Sequence, residues 1–126
     1  MGYNTFAQVV VVNNFSGPAD ITLSHTYSDD DPTSTTWSEV GNGLPSSPSW
    51  QVGYNTGFVY YGNDYWHVSV HVLSGAEQGT WASDMVECTM HSGDSTGVLY
   101  FSVSSAGGFN VHLNSGSCNF GLHKTS

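Results

Sequence analysis

The amino-acid sequence predicts an all-β fold, an antiparallel β-sandwich of about eight strands. The strongest observation is the alternation of apolar and polar residues from Tyr65 to Val72, since a period of two is typical of a strand with one buried face. A second observation is the composition, with fifteen glycines and 13% aromatic residues, which favours short strands joined by turns. A third is the recurrence of turn signals about every ten residues without a helical pattern.

The first half of the chain predicts four strands separated by polar loops. Residues 8–13 include four consecutive valines, which are typical of a central strand that is covered on both faces. The alternation that begins at Ile21 predicts a second strand ending near Tyr27. The segments 28–35 and 41–49 are rich in polar and turn-forming residues and predict loops. Between and after these loops, short strands are predicted at 37–40 and 50–54.

The second half begins with a predicted hairpin. Its arms are residues 58–61 and 65–73, and Gly62-Asn63-Asp64 between them favours a tight reversal. Further strands are predicted at 86–90, 99–103, 109–113 and 118–122. The predicted core consists of inward-facing apolar residues: Trp66, Val68, Val70, Leu99, Phe101, Val103 and Val111. We expect a single domain over residues 1–126, because the chain is too short for two cores.

The charge of the chain excludes several classes of partner. Ten acidic residues face a single base, Lys124, and the formal net charge is −9. No nucleic acid is expected as a partner, because phosphate binding needs Lys and Arg to release counterions. Attachment to anionic membranes is disfavoured for the same reason. A neutral ligand, such as a carbohydrate or a zwitterionic lipid head group, remains compatible with this charge.

No segment has the composition of a membrane span or a leader. No apolar run approaches the roughly 20 residues of a spanning helix, so we expect no transmembrane segment. Residues 1–12 lack a basic stretch and a longer apolar run, and they contain no recognisable signal peptide. We therefore expect a protein that is either cytoplasmic or secreted after removal of an earlier signal.

Cys88 and Cys118 are the two cysteines of the chain, and two interpretations of them are open. In an oxidising compartment a disulfide would close a loop of about 30 residues and contribute about 3–4 kcal/mol to stability. In a reducing compartment both would be buried thiols, which behave as small apolar side chains. Two cysteines at this spacing form no zinc motif.

Two motifs suggest enzymatic or metal chemistry, and each has a structural alternative. Residues 93–97 read GDSTG and resemble the GDSGG signature of chymotrypsin-like proteases, but one glycine is missing and the chain is too short for such a two-barrel enzyme. We interpret them as a polar turn and expect no catalytic residues. His67 and His71 lie on one predicted strand, where their α-carbons are about 13 Å apart, too far to share one metal ion.

The acidic loop at residues 28–35 provides candidate metal ligands. Calcium prefers several carboxylate and carbonyl oxygens, so Asp29 and Asp31 are candidate calcium ligands. The spaced pattern of an EF-hand loop is absent, and a solvated loop explains the same residues. No other cofactor is expected.

The surplus of aromatic residues points to a binding site. Trp37, Tyr61 and Trp81 adjoin predicted loops or occupy outward positions, and Asp64 lies in the predicted hairpin turn. Aromatic rings stack on the C–H faces of sugars or on choline-like cations, while carboxylates bind hydroxyl groups. We therefore predict a ligand-binding site formed by Trp37, Tyr61, Asp64 and Trp81. The alternative is that these aromatic residues pack the core and cover sheet edges.

The first 25 residues, with FAQVVVVNN, a polar turn and then DITLSH, resemble the start of aegerolysins. These are small acidic β-sandwich proteins, mainly fungal and bacterial, that bind sphingolipid-containing membranes and can assist pore-forming partners. The resemblance implies the β-sandwich fold more than it implies lipid binding. The later part of the chain lacks that family's Cys-Gly-Arg segment and its Trp- and Cys-rich segment, so no functional residue is carried over.

Together these observations predict a non-enzymatic recognition protein, lectin-like or cytolysin-like, that binds a neutral carbohydrate or a zwitterionic lipid head group. The alternative is a structural or interaction protein whose aromatic residues form a homo-oligomer interface. A recognition site needs an open cleft with converging polar groups, whereas an interface needs a flat apolar patch.

Overall fold

The computed structural model describes residues 2–57 and 62–126 and confirms the predicted all-β sandwich. Within these residues the chain forms eleven strands and one short 3-10 helix (Ser92–Ser95). The strands are β1 (Thr5–Asn13), β2 (Ala19–Tyr27), β3 (Thr33–Val40), β4 (Trp50–Tyr54), β5 (Asp64–Val72), β6 (Gly79–Ala82), β7 (Val86–Glu87), β8 (Val98–Ser104), β9 (Gly108–Leu113), β10 (Gly116–Phe120) and β11 (His123–Lys124). β6 and β11 were not predicted, because the four residues of β6 show no alternation in burial and β11 has only two residues. The described residues include no helix that is long and apolar enough to cross a membrane.

The strands form two sheets packed face to face. The strand order is β10-β9-β8-β1-β4 in the first sheet and β11-β6-β5-β2-β3 in the second, where β7 also pairs with β5. β1 and β8 run parallel, whereas the other strand pairs of the described chain are antiparallel. This one pair departs from the antiparallel prediction. β1 and β8 are far apart in sequence, so no short turn forces them to run in opposite directions.

The core lies between the two sheets and contains the residues predicted for it. All seven are buried: Trp66, Val68, Val70, Leu99, Phe101, Val103 and Val111. The ring of Trp66 on β5 meets Phe101 on β8 edge-on, with centroids 4.9 Å apart, and so joins the two sheets. β1 is the interior strand expected from its valines, because the consecutive residues Val9, Val10 and Val11 are all buried.

A β-bulge in β3 changes which of its residues face the core. Trp37 pairs with Ile21 and Val40 pairs with Ala19, so the β3 strand uses one more residue than β2 over this stretch. Glu39 lies in the bulge with a φ of 52°. An extra residue on one strand shifts the inward and outward parity, and both Trp37 and Val40 are consequently buried.

β5 is paired along both of its edges. β2 lies along one edge, while β6 and β7 share the other.

The first arm of the predicted hairpin, residues 58–61, lies outside the described residues. Several predicted boundaries also change. β3 begins at Thr33, inside the loop predicted over 28–35, and only Val86–Glu87 of the strand predicted over 86–90 is extended and paired.

A disulfide joins Cys88 to Cys118. Cys118 lies on β10 at the edge of the first sheet, and Cys88 directly follows β7 in the second. Of the two interpretations left open by the sequence, the structure contains the bridge, which ties the two sheets together at one side of the sandwich.

Candidate functional site

A cleft of about 270 Å³ lies at the side of the sandwich where β4 and β3 are the edge strands of the two sheets. Four aromatic side chains line it: Tyr3, Phe6, Tyr27 and Trp50. Its polar side chains are His25, Asp31, Thr33 and Gln51. Pockets that enclose drug-sized ligands measure about 300–1,000 Å³, so this cleft suits a smaller group, such as one sugar ring or a lipid head group.

Tyr3 forms one wall of the cleft and is held there from two directions. Its ring meets the ring of Tyr27 edge-on, with centroids 5.8 Å apart and an interplanar angle of 79°. Its O–H donates to Oδ2 of Asp30 at 2.8 Å. Gly53 leaves space for the ring, because a Cβ at that position would lie 2.3 Å from Cδ2 of Tyr3. Tyr3 and Tyr27 are thereby fixed as adjoining walls at nearly a right angle.

Both phenols are harder to ionise than an isolated tyrosine. The hydrogen bond to the Asp30 carboxylate, followed by burial, raises the pKa of Tyr3 above 10.0. Burial, followed by the negative charge of Asp64, raises the pKa of Tyr27. A phenolate would be desolvated and would be repelled by these carboxylates. The two rings therefore stay neutral at physiological pH. Asp31, which lines the cleft, and Asp30, which accepts the hydrogen bond from Tyr3, are both exposed.

A buried His–Asp pair lies beneath the aromatic walls. Nε2 of His25 lies 2.6 Å from Oδ1 of Asp64, and the two side chains are 3% and 0% exposed. Oδ2 of Asp64 accepts the N–H of Met90 at 2.9 Å. The hydroxyl of Thr33, which also lines the cleft, donates to the carbonyl oxygen of His25 at 3.4 Å rather than to its ring, so these residues do not form a nucleophile–base pair.

The predicted ligand-binding residues Trp37 and Asp64 belong to the core. Trp37 is 5% exposed, and its Nε1–H donates to the carbonyl of Pro48 at 2.7 Å. The bulge at Glu39 turns Trp37 inward. Asp64 is the first residue of β5 and is buried with His25 instead of lying in a turn. Neither side chain presents its polar group to the aromatic cleft.

The other two predicted residues do not join the cleft. Trp81 is half-buried on β6, where its ring packs on Phe15 with centroids 5.3 Å apart and its Nε1–H donates to the carbonyl of Glu77 at 3.0 Å. Because β5 and β2 separate β6 from β3, Trp81 lies on the opposite side of the second sheet from the cleft. Tyr61 lies outside the described residues, and its role stays a prediction.

The candidate calcium ligands do not form a metal centre with other described residues. Asp29 and Asp31 are both exposed, and only Asp31 lines the cleft. Among residues 2–57 and 62–126 no group of three or more His, Cys, Asp or Glu side chains is placed to hold a metal ion. The calcium prediction therefore gains no support from the fold.

The GDSTG segment is a polar turn, as interpreted from the sequence. It includes part of the 3-10 helix (Ser92–Ser95). Asp94 is fully buried and accepts the N–H of His91 at 2.8 Å and that of Ser115 at 2.9 Å. Its carboxylate thus links the turn to the β9–β10 connection.

Sequence reasoning missed most of the side chains that line the cleft. The inward position of Tyr27 can be predicted from the sequence, because Tyr27 continues the inward parity of Ile21 and His25 on β2. No alternation pattern marks Tyr3, since it precedes the first strand. Trp50 begins the predicted strand 50–54, and it is half-buried at the edge of the core. These residues meet only because β1 pairs with β4 and β2 contacts β4.

A second concavity, also of about 270 Å³, is lined by Asn55, Thr56, Thr89 and His91 among others. Its described lining includes no Phe, Tyr or Trp, and Gly57 and Gly62 in its wall flank the segment 58–61. It offers hydrogen-bonding groups without a stacking surface. The aromatic cleft is therefore the stronger candidate for a binding site.

Comparison with known families gives one match that covers most of the chain. The family model described as "Up-Regulated in long-lived daf-2" matches residues 3–112. This range takes in β1 to β8 and nearly all of β9, and it includes every residue that lines the aromatic cleft. No significant match was found among curated proteins.

Proposed function

The chain belongs to the family described as up-regulated in long-lived daf-2, and from the geometry of its aromatic cleft we propose that it is a recognition protein and not an enzyme. Its ligand is a neutral carbohydrate or a zwitterionic lipid head group, held in the cleft between β4 and β3. The family description names no ligand, so the proposal depends on the residues of the cleft.

The observation that carries the proposal is the pair of perpendicular rings beside a carboxylate. Tyr3 and Tyr27 meet at 79°, and Asp31 lines the same cleft. Aromatic faces next to an acidic group are the chemistry by which proteins hold sugars and ammonium groups. The cleft is concave and small, which also favours a compact ligand over a protein surface.

The non-enzymatic part of the proposal is supported by the partners of the ionisable groups. Both carboxylate oxygens of Asp64 have protein partners, His25 and the N–H of Met90. The hydroxyl of Thr33 is bonded to a backbone carbonyl. A hydrolytic site needs a nucleophile that is hydrogen-bonded to its base, and these residues do not provide that arrangement.

Intrinsic tryptophan fluorescence tests the proposal, because Trp50 lies in the cleft. The protein is titrated with a panel of neutral glycans and with vesicles of phosphatidylcholine or sphingomyelin. The resemblance of the N-terminal segment to aegerolysins is the reason for including sphingomyelin. We expect a saturable change with one of these ligands, and we expect Trp50→Phe to remove it.

A matched pair of variants shows whether the cleft is responsible. Tyr3→Ala removes a wall of the cleft, whereas Tyr100→Ala removes an exposed tyrosine on the outer face of β8. We expect only Tyr3→Ala to weaken binding, with both variants retaining the near-ultraviolet circular dichroism of the parent. A parent protein that responds to no glycan and no vesicle, in fluorescence and in calorimetry, contradicts the proposal.

The alternative function, a homo-oligomer or interaction protein, is favoured by one observation. Phe6 on β1 and Val98 and Tyr100 on β8 are exposed on neighbouring strands of the first sheet. Exposed apolar side chains that adjoin one another are typical of protein interfaces. Sedimentation of the parent and of Tyr100→Ala distinguishes this function, since an interface at these residues predicts a dimer that the substitution dissociates.

A further inference from the structure

We infer that the group recognised in the aromatic cleft is an organic cation, a quaternary or alkylated ammonium such as the one in choline, and not an uncharged sugar ring. The inference rests on the proposed function, because it names the chemistry of the ligand at the same site. Its evidence is the way in which the polar groups of the cleft are already paired within the protein.

The lining of the cleft has the aromatic content that suits an ammonium group. Its aromatic side chains are Tyr3, Phe6, Tyr27 and Trp50, and the rings of Tyr3 and Tyr27 are in edge-on contact with centroids 5.8 Å apart. A cation in such a cleft is attracted by the negative faces of aromatic rings, which is the principle of aromatic cages for quaternary ammonium ligands.

The charges around the cleft have the sign that a cation needs. Asp31 lines it and Asp30 is bonded to the wall residue Tyr3. Lys124, the chain's one Lys or Arg, lies on β11, at the far edge of the second sheet from β3. Four strand spacings of about 4.8 Å separate these two strands, so the backbone of β11 lies about 19 Å from that of β3. Its Nζ lies 5.6 Å from the ring centroid of Trp81, another aromatic face.

Four polar side chains of the cleft already make a hydrogen bond within the protein. The O–H of Tyr3 donates to Asp30 at 2.8 Å, and the O–H of Tyr27 donates to the carbonyl of Asn55 at 3.3 Å. Oε1 of Gln51 accepts from Nε2 of Gln8 at 3.0 Å. Nε2 of His25 is bonded to Asp64.

These internal bonds distinguish between the two proposed ligand classes. A sugar is bound by groups that exchange hydrogen bonds with its hydroxyls, and breaking existing bonds to do so costs free energy. An ammonium with methyl groups needs aromatic rings and a nearby negative charge, and the lining of the cleft includes four aromatic side chains and Asp31. A zwitterionic head group would place its ammonium in the cleft, while its phosphate, which has no basic side chain near it, would stay in solvent.

The test compares choline chloride with 3,3-dimethyl-1-butanol, the uncharged isostere in which carbon replaces nitrogen. Both are titrated into the full chain by isothermal calorimetry at constant ionic strength, with Trp50 fluorescence as a second readout. We expect choline to bind and the isostere to bind about tenfold more weakly or not at all, because the two ligands differ only in charge. Raising the sodium chloride concentration is expected to weaken choline binding.

Substitutions at the exposed Asp31 and at the half-buried Tyr3 then locate the site. Asp31→Asn is expected to weaken choline binding several-fold, and Asp29→Asn, in the same loop but outside the cleft lining, is its matched control with a smaller effect. Tyr3→Leu is expected to weaken binding roughly 2- to 30-fold by removing one ring face. Tyr3→Phe keeps the ring and is expected to lose less.

The outcomes separate this inference from the proposed function. Choline binding that depends on Tyr3 and Asp31 supports both, and binding to phosphatidylcholine vesicles as well identifies a lipid head group as one source of the cation. Equal affinity for choline and its isostere overturns the inference, as does a neutral glycan that binds in the cleft when choline does not. These two outcomes overturn only the choice of an organic cation as ligand, and the proposed recognition function is retained. No binding of choline, glycans or vesicles overturns both.

Discussion

Nε2 of His25 lies 2.6 Å from Oδ1 of Asp64 inside the core, where the two side chains are 3% and 0% exposed. His25 pairs across the strands with Trp66, and Asp64 pairs with Tyr27, so the two are diagonal neighbours on the inward face of β2 and β5. Diagonal neighbours are within reach of long side chains. The chain also contains an exposed pair of the same types, His123 and Asp84, with 3.3 Å between nitrogen and oxygen and side chains 61% and 81% exposed.

Asp64→Asn is expected to lower the free energy of unfolding by about 3–5 kcal/mol, because removing one member of a buried pair leaves the other without its partner. Asp84→Asn is the matched control, and its effect is expected to stay within experimental error, as for most surface pairs. Urea denaturation at pH 7 measures both. Equal losses for the two variants would show that burial of the His25–Asp64 pair is unimportant for stability.

The double substitution Cys88→Ser with Cys118→Ser is expected to destabilise the protein by about 3–4 kcal/mol. The reason is that the disulfide closes a loop of about 30 residues and so lowers the conformational entropy of the unfolded chain. The parent protein in dithiothreitol is expected to unfold at the same urea midpoint as the double variant in buffer. Dithiothreitol should leave the double variant unchanged. A parent whose midpoint is insensitive to the reductant contradicts the prediction.

The hydrogen bonds of the Glu77 carboxylate predict that the free energy of unfolding depends on pH. The hydroxyl of Ser105 and the backbone N–H of Ser16 donate to its carboxylate, and these bonds lower the pKa of Glu77 below 4.5. Because the pKa of this carboxyl is lower in the folded protein than in the unfolded chain, its ionisation stabilises the fold at pH values above the ordinary pKa. This stabilisation is lost as the pH falls through the pKa of the folded state.

Glu77→Gln is therefore expected to be less stable than the parent at pH 7, with the difference shrinking below pH 4.5, the ordinary value for the group. Urea midpoints of both proteins, measured in steps from pH 7 to pH 3, provide the test. A difference that stays constant over this range would mean that ionisation of Glu77 does not contribute to stability.

Gly53→Ala is expected to abolish or strongly weaken choline binding, because the new Cβ would lie 2.3 Å from Cδ2 of Tyr3 and displace that wall of the cleft. Gly121→Ala is the control, since an added Cβ there meets no atom within 4 Å. Calorimetric titration with choline chloride measures the effect. Unaltered affinity in Gly53→Ala, with a folded protein, would show that the position of Tyr3 does not matter for the ligand.

The alternation in β5 was sufficient to predict the burial of Trp66, Val68 and Val70, because the side-chain direction on a strand is set locally by its period of two. The same parity, followed back to Asp64, places that carboxylate in the core. It was assigned to a turn because Gly62-Asn63-Asp64 is also a turn signal, and the two local signals disagree at this residue. Trp37 was misplaced for a different reason. The bulge at Glu39 shifts the parity of β3, and the sequence of β3 does not mark it.

The sequence by itself determined the class of fold, the inward face of the long strands and the strongly negative net charge, from which no nucleic-acid partner is expected. Only the tertiary structure decided that β1 lies parallel to β8, that β3 is bulged against β2, and that Tyr3, Tyr27 and Trp50 share one cleft. The physical reason is the range of the interactions. Alternation and charge are properties of neighbouring residues, whereas pairing and cleft formation depend on packing free energies between segments that are distant in the chain, and no single segment contains that information.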